Sequence, residues 1–221
     1  MFIRPNRSRS IPADTLPFLY IGGNPALDLV NTVDWTSRGP EHDRLSDYDR
    51  LTRWAEGAGV ISARAGGLLR SRAKVRPGEA DAAYRLALRA RALLARLFGA
   101  IARGDPNGDA LNDFNGLLGQ ALQGMRIAPA GKARRGRRGL KLGWPNLGEG
   151  LDAVIWPVLW SAATLLVSDE APRIRICGGP DCGWMYVDRS RNRLRRWCQM
   201  ETCGTREKSR RRYERMRRGR R

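Results

Sequence analysis

Four cysteines, Cys177, Cys182, Cys198 and Cys203, are the only ones in this 221-residue chain, and they fall within 27 residues. Their spacing is C-x4-C-x15-C-x4-C. Two close pairs on a longer connector suit a tetrahedral metal site. Each pair supplies two ligands from one turn, and the connector lets the turns converge. Gly178-Gly179-Pro180 and Gly204 supply tight-turn residues beside the pairs. Zinc suits four thiolates, being borderline-soft and content with tetrahedral geometry. An iron–sulfur cluster uses the same donors, and two disulfides or four buried thiols are the plainer alternatives. Met1 to Ser10 is polar and basic with no apolar segment after it, so a cytoplasmic location is expected, where disulfides are disfavoured. The expectation is one zinc ion per chain on these four residues. Such a site has no open coordination position, so its role is structural: it holds a segment too small to build its own core.

Basic residues crowd the same stretch. Between the cysteine pairs stand Arg189, Arg191, Asn192, Arg193, Arg195 and Arg196; after Cys203 stand Arg206, Lys208, Arg210, Arg211, Arg212 and Arg215. Arginine forks match phosphate oxygens and the guanine edge, whereas lysine acts as a point charge. Asn192 can pair with adenine or simply serve a turn. The plain reading of such a run is a solvated tail. Attachment to a metal-braced scaffold favours binding, so these residues are the candidate nucleic-acid contacts.

The formal net charge is +19, and it is uneven. Residues 177–221 hold 15 Lys and Arg against 5 Asp and Glu, and residues 132–141 hold 6 against none. Duplex DNA is the expected partner, with RNA as the other polyanion and an anionic membrane surface as the competing reading. The longest apolar stretch, near 153–167, is shorter than the ~20 residues of a spanning helix and is bracketed by Asp152 and Asp169. It reads as a core helix, and no membrane partner is expected.

The elements that must position these groups are legible in outline. Residues 1–16, with Arg, Ser and Pro, read as a flexible basic arm. Phe18–Ile21 reads as a short strand, Pro25–Thr32 as a helix, and 36–44 as a polar loop. Helices are expected from Ser46 to about Gly57, over Ala63–Ala73, Pro77–Ala102 and Ala110–Leu122. Weak alternation on both sides of Lys132–Arg138 predicts a β-hairpin with a basic tip, either a second phosphate contact or a disordered loop. Leu147–Val167 predicts a helix that Pro157 kinks or restarts. Arg173–Cys177 and Trp184–Val187 read as paired strands, and 206–218 as a basic helix. The fold class is α+β: a mainly helical N-terminal domain (17–172) with a β-hairpin, then a small four-cysteine zinc-finger module (173–221) ending in a basic helix.

The segment Cys177-x4-Cys182-Gly183-Trp184-Met185-Tyr186-Val187-Asp188-Arg189-Ser190-Arg191-Asn192, followed by Arg195-Arg196-Trp197-Cys198 and Cys203-Gly204-Thr205-Arg206, resembles the CGNR zinc-finger family of bacterial proteins. The family tetrapeptide has asparagine where this chain has Thr205, which spares the ligands and alters any contact of that side chain. Gly22-Gly23-x-Pro25-Ala26-Leu27-Asp28-Leu29-Val30-Asn31-Thr32, with Leu51-x-x-Trp54, is similar to the ABATE domain that accompanies it. The resemblance implies a stress-responsive, zinc-dependent transcription regulator that binds DNA. Its N-terminal domain would then sense a small-molecule effector or form a homodimer.

Little points to catalysis, and no enzyme activity is expected. His42, the only histidine, falls in the expected polar loop. There is no Gly-x-Ser-x-Gly elbow and no dinucleotide glycine fingerprint. Asp28, Asp34, Glu41 and Asp43 read as solvated loop carboxylates. The alternative is an enzyme or ligand-binding protein with its site in the helical domain and a nonspecific nucleic-acid-binding tail. Asn31 and Thr32, a polar pair ending an apolar helix, would face such a pocket, or simply end the helix. A third reading is an interaction module whose basic tail binds acidic partners.

Overall fold

Capping side chains set where the first three helices begin. The structure is a computed structural model that describes residues 16–36, 39–105, 108–132 and 138–218, with the side chains of 131, 132 and 138 omitted. Asn24 caps α1 (Pro25–Val30), its side chain accepting from the Ala26 N–H at 2.8 Å. β1 (Val33–Thr36) and β2 (Gly39–Asp43) follow as an antiparallel pair, with Val33 opposite Asp43 and Asp34 opposite His42. The expected polar loop over 36–44 is thus largely a hairpin. Ion pairs rather than apolar alternation brace it, which hid it from the pattern. Arg44 grips Asp34 at 2.8 and 3.2 Å, and Arg91 grips Asp43 at 2.7 and 2.5 Å.

α2 (Tyr48–Gly57) is capped by Asp47, not Ser46; the Asp47 carboxylate accepts from the Arg50 N–H at 2.8 Å. A charged acceptor suits a helix N-terminus better than a hydroxyl. Ser62 caps α3 (Ala63–Val75), and α4 (Pro77–Ala102) runs as its apolar period implies. α5 (Gly108–Gln123) leads into the pair β3 (Arg126–Lys132) and β4 (Arg138–Gly143). The heart of the expected basic tip, 133–137, lies outside the described residues, as does the arm over 1–15. The single helix expected over Leu147–Val167 is instead a 3-10 turn, Leu151–Ile155, followed by α6 (Trp156–Leu166). Pro157 lacks an N–H and sits in the first turn of α6, so it restarts the helix. β5 (Ile174–Ile176), β6 (Met185–Val187) and α7 (Thr205–Arg218) complete the chain. Phe18–Ile21 forms no ladder. It is held by side chains, with the Tyr20 hydroxyl donating to the Trp54 carbonyl at 3.1 Å and Arg50 over the Phe18 ring.

α4 is the spine. Its Ala80, Ala83, Ala87 and Ala90 are buried along one side, and these small side chains let α1, α2 and the Leu151–Ile155 turn approach. Leu27, Leu51, Leu94, Phe98 and Trp54 are buried around it, each large apolar side chain contributing roughly 1.5–3 kcal/mol. Ile174, Met185 and Val187 enter this same core. The cysteine-bearing hairpin is therefore packed into the helical body.

Candidate metal centre and nucleic-acid interface

The short pair β5–β6 brings the first two cysteines together. Ile174 lies opposite Val187 and Ile176 opposite Met185. Cys177 follows β5, and its N–H donates to the Trp184 carbonyl at 2.8 Å. The intervening turn uses a left-handed Asp181, with φ 55°, and the Cys182 N–H donates to the Gly179 carbonyl. Gly179 is closely hemmed in by the ligands. A Cβ there would lie 3.0 Å from the Cys203 Cβ, 3.1 Å from its sulfur and 3.4 Å from the Cys177 sulfur.

The second pair arrives by two devices. The Cys198 N–H donates to the Cys177 sulfur at 3.2 Å, and the Gly178 N–H to the Arg196 carbonyl at 2.7 Å. Cys203 sits in a π-helical turn, Met200–Gly204, that runs directly into α7. All four sulfurs lie within 4.8 Å of one another, with Cys182–Cys198 at 3.8 Å and Cys198–Cys203 at 3.6 Å. Zinc–sulfur bonds of about 2.3 Å in a tetrahedron put sulfurs about 3.8 Å apart. The donor set fits one structural zinc ion.

Charge supports the same conclusion. Thiol hydrogen bonds from Cys182 and Cys198, with backbone N–H groups, hold Cys177 well below the usual thiol range. The same contacts with Cys177 push Cys182 and Cys198 up. Sulfurs this close cannot all be thiolates without a cation between them.

A shell of buried bonds welds the centre to the body. The Asn31 amide donates to the Met185 carbonyl and its oxygen accepts from the Met185 N–H, both at 2.8 Å. The Trp184 indole N–H donates to the Val33 carbonyl at 2.9 Å, and the Gly183 N–H to the Trp35 carbonyl at 3.1 Å. Thr32, the other residue of the candidate pocket pair, is also buried. Its hydroxyl donates to the Leu29 carbonyl and accepts from Arg91. Both side chains thus bond to protein groups.

The other acidic residues near α1 divide. Asp28 is buried and accepts from the Gly22 N–H at 2.7 Å; burial pushes its carboxyl up to about 6. Asp34 and Asp43 are in the ion pairs above, so only Glu41 keeps the exposed character expected of all four.

The candidate nucleic-acid contacts sort into two groups. Arg189 makes a two-pronged pair with Glu170 at 2.6 and 2.7 Å, and Arg195 lies 4.0 Å over the Tyr186 ring while bonding the Trp197 and Cys198 carbonyls. Arg210 and Arg211 flank the buried Glu207, whose carboxyl their hydrogen bonds hold down to about 2. Arg191, Asn192, Arg193, Arg196, Arg206, Lys208, Arg212 and Arg215 are exposed, and among the described residues none of these cations is in a salt bridge. Arg193 holds a left-handed turn at φ 53°, its N–H donating to the Ser190 carbonyl at 3.1 Å.

Sequence reasoning passed over Asp188. It is buried and accepts from the Ser190 N–H and hydroxyl and the Arg195 N–H, so it shapes the connector. Burial opposes its charge, but these bonds keep its carboxyl below the usual range. The Asp-x-Ser spacing was the available signal, since such pairs cap turns. Sequence reasoning also missed a cleft of about 360 Å³ at the seam between β1–β2 and the metal centre, lined by Trp35, Thr36, His42, Thr202 and Arg206 among others. The Trp35 indole N–H is buried without a partner among the described residues.

Comparison with known families finds two matches. A family model named ABATE, described as "Putative stress-induced transcription regulator", matches residues 23–169. A CGNR zinc-finger model matches residues 173–216. No curated protein matches the chain.

Proposed function

The chain belongs to the ABATE family, and from that premise we propose that it is a zinc-dependent, stress-responsive regulator that binds duplex DNA through the connector and α7. The observation that carries this reading is the set of exposed cations, Arg191, Arg193, Arg206, Lys208, Arg212 and Arg215, displayed on one metal-braced scaffold without carboxylate partners among the described residues. Groups free of internal partners cost little to redirect toward phosphates and base edges. Arg189, Arg195, Arg210 and Arg211 hold the scaffold in shape and reach phosphate only while keeping those partners. In this reading zinc supplies no chemistry beyond cross-linking the two turns, and the chain's own arginines do the binding.

The test is selection of random duplex DNA by the zinc-loaded protein at near-physiological salt, with Cys182→Ser alongside. The expected result is enrichment of a defined sequence that the variant does not enrich. Neutralising six phosphates would weaken binding by about 10³ between 50 and 200 mM salt. Binding that persists without sequence preference would reduce the role to a general phosphate clamp.

The seam cleft favours a second, compatible reading: the body binds a small effector there. Its walls belong both to β1–β2 and to the turn that begins α7, so a ligand seated against Trp35 and Arg206 would bias the pose of α7. Trp35→Phe, which trims the indole to a single ring and so reshapes this wall, should weaken any effector response while leaving effector-free DNA affinity unchanged.

A further inference from the structure

The pair β3–β4 carries an apolar face that nothing among the described residues covers. Ile127 stands opposite Leu142, and Pro129 opposite Leu140. Directly opposed residues share a face, and alternate residues return to it, so these four lie on one side. Ile127 is 70% exposed, Leu140 75% and Leu142 54%. Single exposed aliphatics need no explanation, but a contiguous set on one strand pair marks an interaction surface. Beside it lies a groove of about 640 Å³ between β4 and the start of α3. Ile61, Ala65, Leu68, Pro129, Leu142 and Trp144 line it, with Arg64 and Lys141 on its walls. The pair has no third strand among the described residues, so its edges are also open.

Charge and shape select the occupant. From Met125 to Gly148 the sequence holds no Asp or Glu. A second copy docked on this face would set two basic, carboxylate-free surfaces against each other, which repels. A lipid leaflet covers a flat face but does not enter a groove. Duplex DNA offers phosphates to the cations but nothing to the aliphatic side chains. The proposed DNA surface also lies at the other end of α6. Trp156, at the start of α6, packs beside Gly124 at the base of β3–β4, whereas its far end leads to β5 and the cysteines. The 11 residues between span about 16 Å.

We propose that β3–β4 and its groove dock an acidic segment of another protein, one that carries two or three aliphatic or aromatic anchors flanked by Asp or Glu. The segment crosses an edge of the pair: its anchors bury Leu140, Leu142 and Ile127 on one side, and its flanking carboxylates meet Arg64 and Lys141 on the groove side, where Lys141 stands opposite Ala128. An extended segment gains main-chain bonds as well by adding to a strand edge. The surface is independent of α7, so the protein can hold DNA and this partner together.

The test uses the full-length, zinc-loaded protein and a display library of random 12-residue peptides at 150 mM salt. The expected result is enrichment of peptides that combine Asp or Glu with aliphatic or aromatic residues. Their affinity should fall about tenfold or more in Leu140→Ser/Leu142→Ser, and again in Arg64→Glu/Lys141→Glu. All four positions are exposed, and unchanged zinc content and melting temperature show that the variants fold. Duplex DNA should not compete for the peptides. Enrichment of no such composition, or binding untouched by both variants, overturns the proposal. So does wild-type sedimentation with vesicles containing phosphatidylserine that the leucine variant loses, which would make the face a lipid contact. A concentration-dependent dimer that the leucine variant abolishes would make it a self-contact and likewise sink the idea.

Discussion

Two hairpins of the molecule, β3–β4 and β5–β6, are held in opposite ways. β3 and β4 are seven and six residues long, yet their apolar side chains face outward. β5 and β6 have three residues each, yet all of β6 is buried. Strand length therefore does not decide burial here. A two-stranded ribbon is marginal by itself, and the shorter one is secured by four sulfurs on one side and the helical core on the other. The longer one is left with a face to offer. The first serves as a rigid base for α7, and the second has the character of a docking surface.

The contrast is broken most severely by removing the metal. Chelation, or Cys182→Ser, should release the connector and α7 and abolish DNA binding, since structural zinc contributes on the order of 10 kcal/mol to such elements. Zinc content, near-ultraviolet dichroism and melting temperature would report it. The helices of the body should survive, with a lower melting temperature because Met185 and Val187 lose their places in the core. If α7 and DNA binding persist without metal, the sulfur brace is not what orders this end.

Next in size is Asn31→Ala. It strands the buried Met185 N–H and carbonyl, at roughly 1–3 kcal/mol each. Denaturant unfolding should show the loss, and zinc affinity should drop with it if the weld orients the ligands. A loss below 1 kcal/mol would mean that water or another side chain replaces the amide.

Asp28 gives a pH signature of comparable size. Its carboxyl is raised from the usual 3.8 to about 6, with burial as the cause. The folded state therefore binds this proton more tightly than the unfolded chain. The stability it contributes is present below pH 4 and is lost as pH rises through about 6. Asp28→Asn should remove that slope, gaining about 2–3 kcal/mol on the wild type between pH 4 and 7. Parallel curves for the two proteins would show that the carboxylate is solvated after all.

The smallest effect is expected at the other hairpin. Leu140→Ser/Leu142→Ser should shift stability by less than about 0.5 kcal/mol, because these side chains are already in water. A large loss would mean that the face is covered in the folded protein and would erase the contrast between the two hairpins.

The zinc ligands and the arginine helix were legible from local spacing. Two turns of C-x4-C can each present two sulfurs whatever the body does, and a 3.6-residue apolar period makes α4 a helix in any context. The β1–β2 hairpin was not legible, because its strands are polar and its braces, Arg44 and Arg91, come from outside it. The break before α6 was half legible: Pro157 marked it, but only packing chose restart over kink. The arginines were half sortable: Arg210 and Arg211 stand three and four residues from Glu207, ordinary helical spacing, whereas the partner of Arg189, Glu170, is one that only the fold delivers.

By itself, then, the sequence determined the chemistry available: four thiolates at converging spacing, a surplus of guanidinium groups, and helices wherever apolar residues repeat with the helical period. Tertiary structure decided the commitments. Asn31 meets Met185 across 154 residues of chain, and Trp184 meets Val33 across 151. Local spacing constrains only neighbours, whereas such distant pairs form only because burying the shared core brings their backbones together and leaves no water to satisfy them.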